Sequence, residues 1–211
     1  RVGSFRTAAG VTGDGVVLAA SAFDEQGIQA LDCDTGKLRW ICGNRQQARF
    51  GNAVFFDGCF YCFGAQELIC VKAATGKIKW IAPSDKWSPA PPLITHERVF
   101  AATSRGHLFA LDRKTGRRLW EKKLNRSLMP LHYDSPEVGG QMAGPVLCGR
   151  NILQASSDGH LYAINAESGN IIWKQQFDIP LTIAPAVHKD RLFIVTPDAT
   201  LWSFRMITDC R

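Results

Sequence analysis

Several familiar signatures are missing from this chain of 211 residues. No apolar run approaches the roughly 18 residues that a membrane helix needs, so no spanning helix is expected. The opening string RVGSFRTAAG has no signal-peptide core. No Gly-x-Ser-x-Gly elbow, P-loop or His-Glu-x-x-His string occurs, which leaves three large enzyme classes without support. No 3.6-residue period lasts long enough for paired helices. There is no recognition helix and no aromatic-basic RNA motif. The net charge of +6 is scattered over turns such as Lys77, Lys79, Arg117 and Arg118, where it reads as solvation. Nucleic acid is therefore not an expected partner.

What is present is a repeat. LDCDTGKLRW at 31–40 returns as VKAATGKIKW at 71–80, LDRKTGRRLW at 111–120 and INAESGNIIW at 164–173. The tryptophans fall at 40, 80, 120 and 173. A period near 40 suits four-stranded propeller blades or helical HEAT and armadillo repeats. Composition decides for strands. Each unit has runs of about five residues rich in Val, Ile, Phe, Tyr and Trp, bounded by Gly, Pro, Asp or Ser. In the third unit the strands are PPLI, RVFAAT, LFALD and RRLW.

A three-residue hairpin loop closed by a left-handed glycine is expected at Gly36, Gly76, Gly116 and Gly169. Counting outwards sets Ala30 opposite Trp40, Cys70 opposite Trp80, Ala110 opposite Trp120 and Ala163 opposite Trp173. Every indole then meets a small residue across the ladder, as a bulky ring on one face of a sheet requires. The last unit has only three strands, APAV, RLFIVT and TLWSFR. The segment RVGSF supplies a fourth, with Phe5 in the Trp place opposite Ser203. The expected fold is all-β, a single propeller domain over 1–211 with five blades. These run at about 8–40, 52–80, 88–120, 142–173 and 183–204 plus 1–6. The alternative is a fragment of a larger ring of seven or eight blades.

The pattern around SSDGHLYAINAESGNIIW (156–173) and TSRGHLFALDRKTGRRLW (103–120) resembles the repeat of pyrroloquinoline-quinone-type propellers. The resemblance covers almost the whole chain and degrades in the second and fifth units. That superfamily includes quinone-dependent alcohol and glucose dehydrogenases. It also includes non-enzymatic members: the lipoprotein scaffold of outer-membrane assembly, kinase sensor domains and appendages of adenylating enzymes. The resemblance implies, for a dehydrogenase, an adjacent cysteine pair and an Asp base beside calcium held by Glu and Asn. No Cys-Cys dipeptide occurs here, and no Asp/Glu/Asn set matches. The expectation is a non-enzymatic member without cofactor or metal.

Cys59 and Cys62 have a Cys-x-x-Cys spacing in GCFYCFG. Residues three apart on a strand point to opposite faces, which defeats joint chelation. The seven cysteines, an odd number lying mostly in apolar runs, read as reduced core residues and suggest the cytoplasm. His107 and His160 share one repeat position, which argues for a role in the frame.

The main irregularity is the insertion EKKLNRSLMPLHYDSPEVGGQM after Trp120, about 13 residues longer than the usual link. Long loops in repeat arrays often carry the binding face. All blade-to-blade links emerge on one face of a ring. Arg45, Arg49, Lys86, Trp87, Arg126, His132, Tyr133 and Asp134 are therefore the candidate binding residues, with Gln47, Lys123 and Gln175 beside them. This set suits a protein or peptide partner of anionic character, within a larger polypeptide or assembly. Carbohydrate or small-molecule binding, lectin- or sensor-like, is the alternative. An enzyme is the third reading, with a lone site in the central mouth that would use His132 and Asp134; a quinone-type oxidoreductase is the form the family resemblance would give it, with no catalytic residue matched.

Overall fold

The computed structural model describes residues 10–11, 14–20, 27–43, 53–64, 66–85, 88, 90–125 and 143–205. Over these the chain is all strand and turn, arranged as five antiparallel sheets in chain order. The first sheet comprises β1 (Gly10–Val11), β2 (Val16–Ala20), β3 (Ile28–Asp32) and β4 (Leu38–Cys42). The second comprises β5 (Val54–Phe56), β6 (Cys59–Phe63), β7 (Glu67–Lys72) and β8 (Ile78–Pro83). The third comprises β9 (Leu93–Ile94), β10 (Arg98–Ala102), β11 (His107–Asp112) and β12 (Arg118–Lys123). The fourth comprises β13 (Val146–Cys148), β14 (Asn151–Ala155), β15 (His160–Asn165) and β16 (Ile171–Gln176). The fifth has three strands: β17 (Ala186–His188), β18 (Arg191–Val195) and β19 (Leu201–Arg205).

The side-chain period of two explains the layers. Neighbouring residues of a middle strand feed different cores. Phe60 and Cys62 pack with Val16, Ile28 and Ile69 between the first and second sheets. Tyr61, Phe63 and Cys59 pack with Val99 and Phe109 between the second and third. Cys59 and Cys62 thus face different cores, and both are free thiols. Phe100, Leu108, Ile152 and Ile164 fill the space between the third and fourth sheets, and Leu153, Leu161, Leu192 and Ile194 that between the fourth and fifth.

The expected cross-strand pairs are present: Ala30 with Trp40, Cys70 with Trp80, Ala110 with Trp120 and Ala163 with Trp173. The hairpin that produces them differs from the expected one. Asp32 N–H donates to the Lys37 carbonyl, so Cys33–Gly36 form the loop, one residue longer than expected. Leu31 then pairs with Leu38 while Ala30 pairs with Trp40, and the ladder shifts between them. Arg39 is the extra residue of a bulge that restores the pairing. The same shift recurs in the second, third and fourth sheets.

Local chemistry makes the turn. Thr35 donates to Asp32 Oδ1 through its amide and its hydroxyl, both at 2.8 Å, and Gly36 N–H reaches the Asp32 carbonyl at 2.8 Å. Thr115 with Asp112 and Ser168 with Asn165 repeat the arrangement. Gly36 stands at φ 65° and Gly116 at φ 73°, a region where a Cβ is costly.

In the second, third and fourth sheets the turn also receives the indole of the preceding blade. Trp40 Nε1 donates to the Ala73 carbonyl at 2.7 Å, Trp80 to Arg113 at 2.8 Å and Trp120 to Ala166 at 3.0 Å. A Cβ on Gly76, Gly116 or Gly169 would lie 2.7, 2.7 or 2.6 Å from the ring of Trp40, Trp80 or Trp120. The repeated Gly therefore serves backbone and packing together. Phe5 lies outside the described residues, and so does its expected pairing with Ser203. Among the described residues β19 pairs with β18 alone.

Candidate functional site

Strand alternation gives the blades two distinct faces. On one, the turn before the second strand stacks on the Thr-Gly turn: Arg113 N–H donates to the Glu97 carbonyl, and Ala166 N–H to Arg150. On the other, links stack on the turn between the middle strands: Ser84 N–H donates to Gln66, Leu124 to Gly106 and Phe177 to Gly159. The second face is the one the sequence nominates for binding. Arg45, Arg49, Lys86, Trp87, Arg126, His132, Tyr133 and Asp134 all lie outside the described residues. What the structure describes is the frame that holds their links.

That frame is polar. Seven buried polar residues, Ser88, Thr103, Ser104, Ser156, Ser157, Asp158 and Thr196, lie in the turns and links of this face. Buried hydroxyls and carboxylates need partners, so such a cluster pins backbone. The base of the insertion is held by one network. Asn125 Nδ2 donates to the Tyr162 hydroxyl at 3.2 Å, and Tyr162 donates to Asp158 Oδ2 at 2.5 Å. Asp158 Oδ1 accepts the His160 amide at 3.0 Å. Burial, with Asp158 beside it, pushes the Tyr162 phenol well above its usual range. The far end of the insertion is held by Gln154, whose Nε2 donates to the Ala143 carbonyl at 2.7 Å.

A second network ties the link at Asp85 to the third blade. His107 Nδ1 lies 2.5 Å from Glu121 Oε1, and its Nε2 lies 3.8 Å from Asp85 Oδ2. Arg118 meets the other Glu121 oxygen at 2.5 Å, covers the Phe109 ring at 4.3 Å and donates to the Pro83 carbonyl. Burial works to raise the Glu121 carboxyl, but hydrogen bonds from His107 and Arg118 prevail and hold it below its usual range. His107 and His160 thus share a repeat position yet differ in partners: His107 meets Glu121 and Asp85, whereas His160 Nδ1 lies 3.2 Å from the Asp158 carbonyl oxygen. The sequence displayed Asp158, Tyr162 and Gln154 only as repeat residues; nothing marked them as anchors of the insertion.

The face can present side chains from rigidly seated links, and its chemistry is recognition. No group of three or more His, Cys, Asp or Glu residues able to hold a metal occurs among the described residues. A groove of about 550 Å³ lined by His96, Arg98, Arg150 and Glu167 lies on the opposite face, between the third and fourth blades. No helix among the described residues is long and apolar enough to cross a membrane.

Comparison with known proteins adds the family. The sequence profile of a family described as "Outer membrane protein assembly factor BamB" matches residues 24–136 and 133–208. The assembly factor BamB of Yersinia pestis is 25% identical over 183 residues, covering 81% of this chain and 44% of that protein. The crystal structure of BamB from Moraxella catarrhalis superposes with a TM-score of 0.73 at 22% identity, covering 96% of this chain and 58% of that one. A quinohemoprotein alcohol dehydrogenase from Comamonas testosteroni superposes at 0.69 with 14% identity, covering 96% of this chain and 41% of that one. These structural likenesses show the propeller fold, and the family match over 24–136 and 133–208 places it among the pyrroloquinoline-quinone-type repeats. The chain spans about half the length of the curated relatives it matches. The family is named for an assembly factor, in line with the non-enzymatic reading of the sequence.

The cytoplasmic assignment is overturned, because the matched relatives are named as outer membrane protein assembly factors. The cysteines misled for a physical reason. Cys42, Cys59, Cys62 and Cys70 are buried free thiols, shielded by packing whichever compartment holds the protein. Burial pushes the Cys70 thiol up to about 12, so its reactive thiolate is scarce. Cys148, read with them as reduced, is disulfide-bonded.

Proposed function

Because the chain belongs to the family of the outer membrane protein assembly factor BamB, we propose that it is a non-enzymatic scaffold that holds protein partners during outer membrane protein assembly. The single observation that carries this is the family match over 24–136 and 133–208. The link face is the docking surface in this reading. Arg45, Arg49, Lys86 and Arg126 attract a partner bearing carboxylates, and Trp87 and Tyr133 supply the rigid rings that anchor interfaces. His132 and Asp134 complete the polar rim. The two networks around His107 and Tyr162 support it, since they fix the links at their roots.

The test is a triple variant, Arg45→Ala, Arg49→Ala and Trp87→Ala, used as bait for the outer membrane assembly machinery. Capture falls at least tenfold while the thermal midpoint stays nearly unchanged. Undiminished capture by the triple variant overturns this use of the link face.

A further inference from the structure

The junctions between blades differ on the face opposite the links. Between the second and third blades the space is filled by Arg113. Its Nε donates to the His96 carbonyl at 2.7 Å, its Nη1 meets Asp57 Oδ2 at 2.8 Å and its guanidinium lies 5.3 Å from the centre of the Phe56 ring. The Arg113 side chain is only 11% exposed, and Asp57 supplies its counter-charge.

The junction between the third and fourth blades has the same backbone and other side chains. Arg113 N–H donates to the Glu97 carbonyl and Ala166 N–H to that of Arg150, and the carbonyls of Arg113 and Ala166 accept the Trp80 and Trp120 indoles. Ala166 therefore stands in the place of Arg113. The Ala73 amide donates to Gly58 in the same way, so Gly58 corresponds to Glu97, and Asp57 to His96. Both members of the Arg113–Asp57 pair are thus replaced, and the groove of about 550 Å³ lies where they would meet.

A guanidinium enters this groove from the other direction. Arg98, partly buried, donates through Nη1 to the Ala166 carbonyl at 2.7 Å. That oxygen also accepts Trp120, so both its lone pairs are engaged. Arg39, Arg113, Arg118 and Arg205 each meet a carboxylate, whereas no carboxylate among the described residues pairs with Arg98. A partly buried guanidinium without a counter-ion favours an anion, and its remaining N–H groups suit a carboxylate. Arg150 lines the same groove. Glu97 and Glu167 line it too, but both are exposed, so water and salt screen their repulsion more than they screen the attraction of Arg98. With these charges near balance, one negative charge is accepted and a phosphate is disfavoured. Leu147, 41% exposed, and Phe100 give the groove an apolar wall.

We propose that this groove binds a monocarboxylate carried on an apolar body. The carboxylate pairs with Arg98 and Arg150, as Asp57 pairs with Arg113, and the body lies against Leu147. A free aliphatic acid and a glutamate side chain in an apolar peptide segment share this chemistry. The site lies opposite the link face and does not depend on the scaffold role proposed for it.

The probes are hexanoate and its neutral counterpart hexanamide, and the peptides acetyl-Leu-Glu-Leu-amide and acetyl-Leu-Gln-Leu-amide, each titrated into the full chain. Saturable shifts of the Arg98 Nε–H and Leu147 methyl resonances report binding. The better carboxylate binds about tenfold more tightly than its own amide, and which of the two is better identifies the source. Arg98→Gln weakens it about tenfold, while the glutamine amide can still donate to the Ala166 carbonyl. Arg150→Gln is an exposed change that leaves the thermal midpoint unchanged and weakens binding about threefold. Absence of a saturable shift, equal binding of acid and amide, or equal binding by the parent and both variants overturns the proposal. The link-face triple variant binds the carboxylate as the parent does, so failure at one face is distinguishable from failure at the other.

Discussion

Trp80 and Gly116 belong to different blades and are in direct contact: a Cβ on Gly116 would sit 2.7 Å from the indole. The Trp80 Nε1–H meanwhile donates to the Arg113 carbonyl three residues earlier. One turn therefore receives the ring by shape and by hydrogen bond.

Gly116→Ala separates the two roles of that glycine. It forces a methyl against a buried indole and holds Ala at φ 73°. The sum of overpacking and backbone strain is about 2–4 kcal/mol. Gly36 has a similar φ with nothing within 4 Å of a Cβ, so Gly36→Ala carries only the backbone part, about 1 kcal/mol. Urea unfolding of the two variants compares them directly. Equal losses would show that the interblade contact is absent in solution.

Trp80→Ala and Trp173→Ala form a second contrast. Trp80 is 7% exposed and its loss opens a cavity between two sheets, at about 3–5 kcal/mol. Trp173 is 41% exposed, and its replacement stays within about 1 kcal/mol in the isolated chain. Trp120→Ala also loses an indole hydrogen bond and resembles Trp80→Ala in direction. Thermal melts measure all three.

The Asp32 turn gives a pH dependence of known sign. Hydrogen bonds from the Thr35 hydroxyl and amide, then from Arg39, hold the Asp32 carboxyl at about 2. A carboxyl depressed on folding contributes stability above its unfolded value, near about 4, and that contribution is lost as pH falls towards the folded value. Asp112, bonded by Thr115, acts in the same direction. The thermal midpoint therefore declines between about pH 4 and pH 2. In Asp32→Asn the decline is shallower, since the acceptor remains without the charge. A slope identical in parent and variant would remove this turn from the acid response.

Thiol labelling reports the cores separately. Cys33 is exposed and reacts with a small disulfide reagent in the native state. Cys59, Cys62 and Cys70 react only on unfolding, because burial removes access and raises the Cys62 and Cys70 thiols. Mass spectrometry of peptides after timed labelling distinguishes them. Rapid native labelling of Cys62 would mean that the first and second sheets separate readily.

How much of this was legible in the sequence follows from repetition. Ala30 opposite Trp40 was readable because the same small-to-large pairing recurs at Cys70, Ala110 and Ala163. The bulge at Arg39 was hidden, since a longer loop and one extra residue cancel in the count. The partition of Cys59 and Cys62 between two cores followed from strand period alone. The link anchors were not readable. Asn125 meets Tyr162, and Gln154 meets Ala143, across separations that no repeat encodes. The binding-face residues remain expectations of loop length and composition, since they lie outside the described residues. The disulfide at Cys148 was equally hidden among thiols that are simply buried.

The indole latch has a direction. Each acceptor carbonyl lies downstream of its tryptophan, by 33 residues for Trp40 and Trp80 and by 46 for Trp120. Polypeptides emerge amino end first, so a newly made sheet keeps its latch unfastened until the following one has been synthesised and folded. Maturation of the array is thereby vectorial, and at every stage of translation the most recent sheet is the adhesive one.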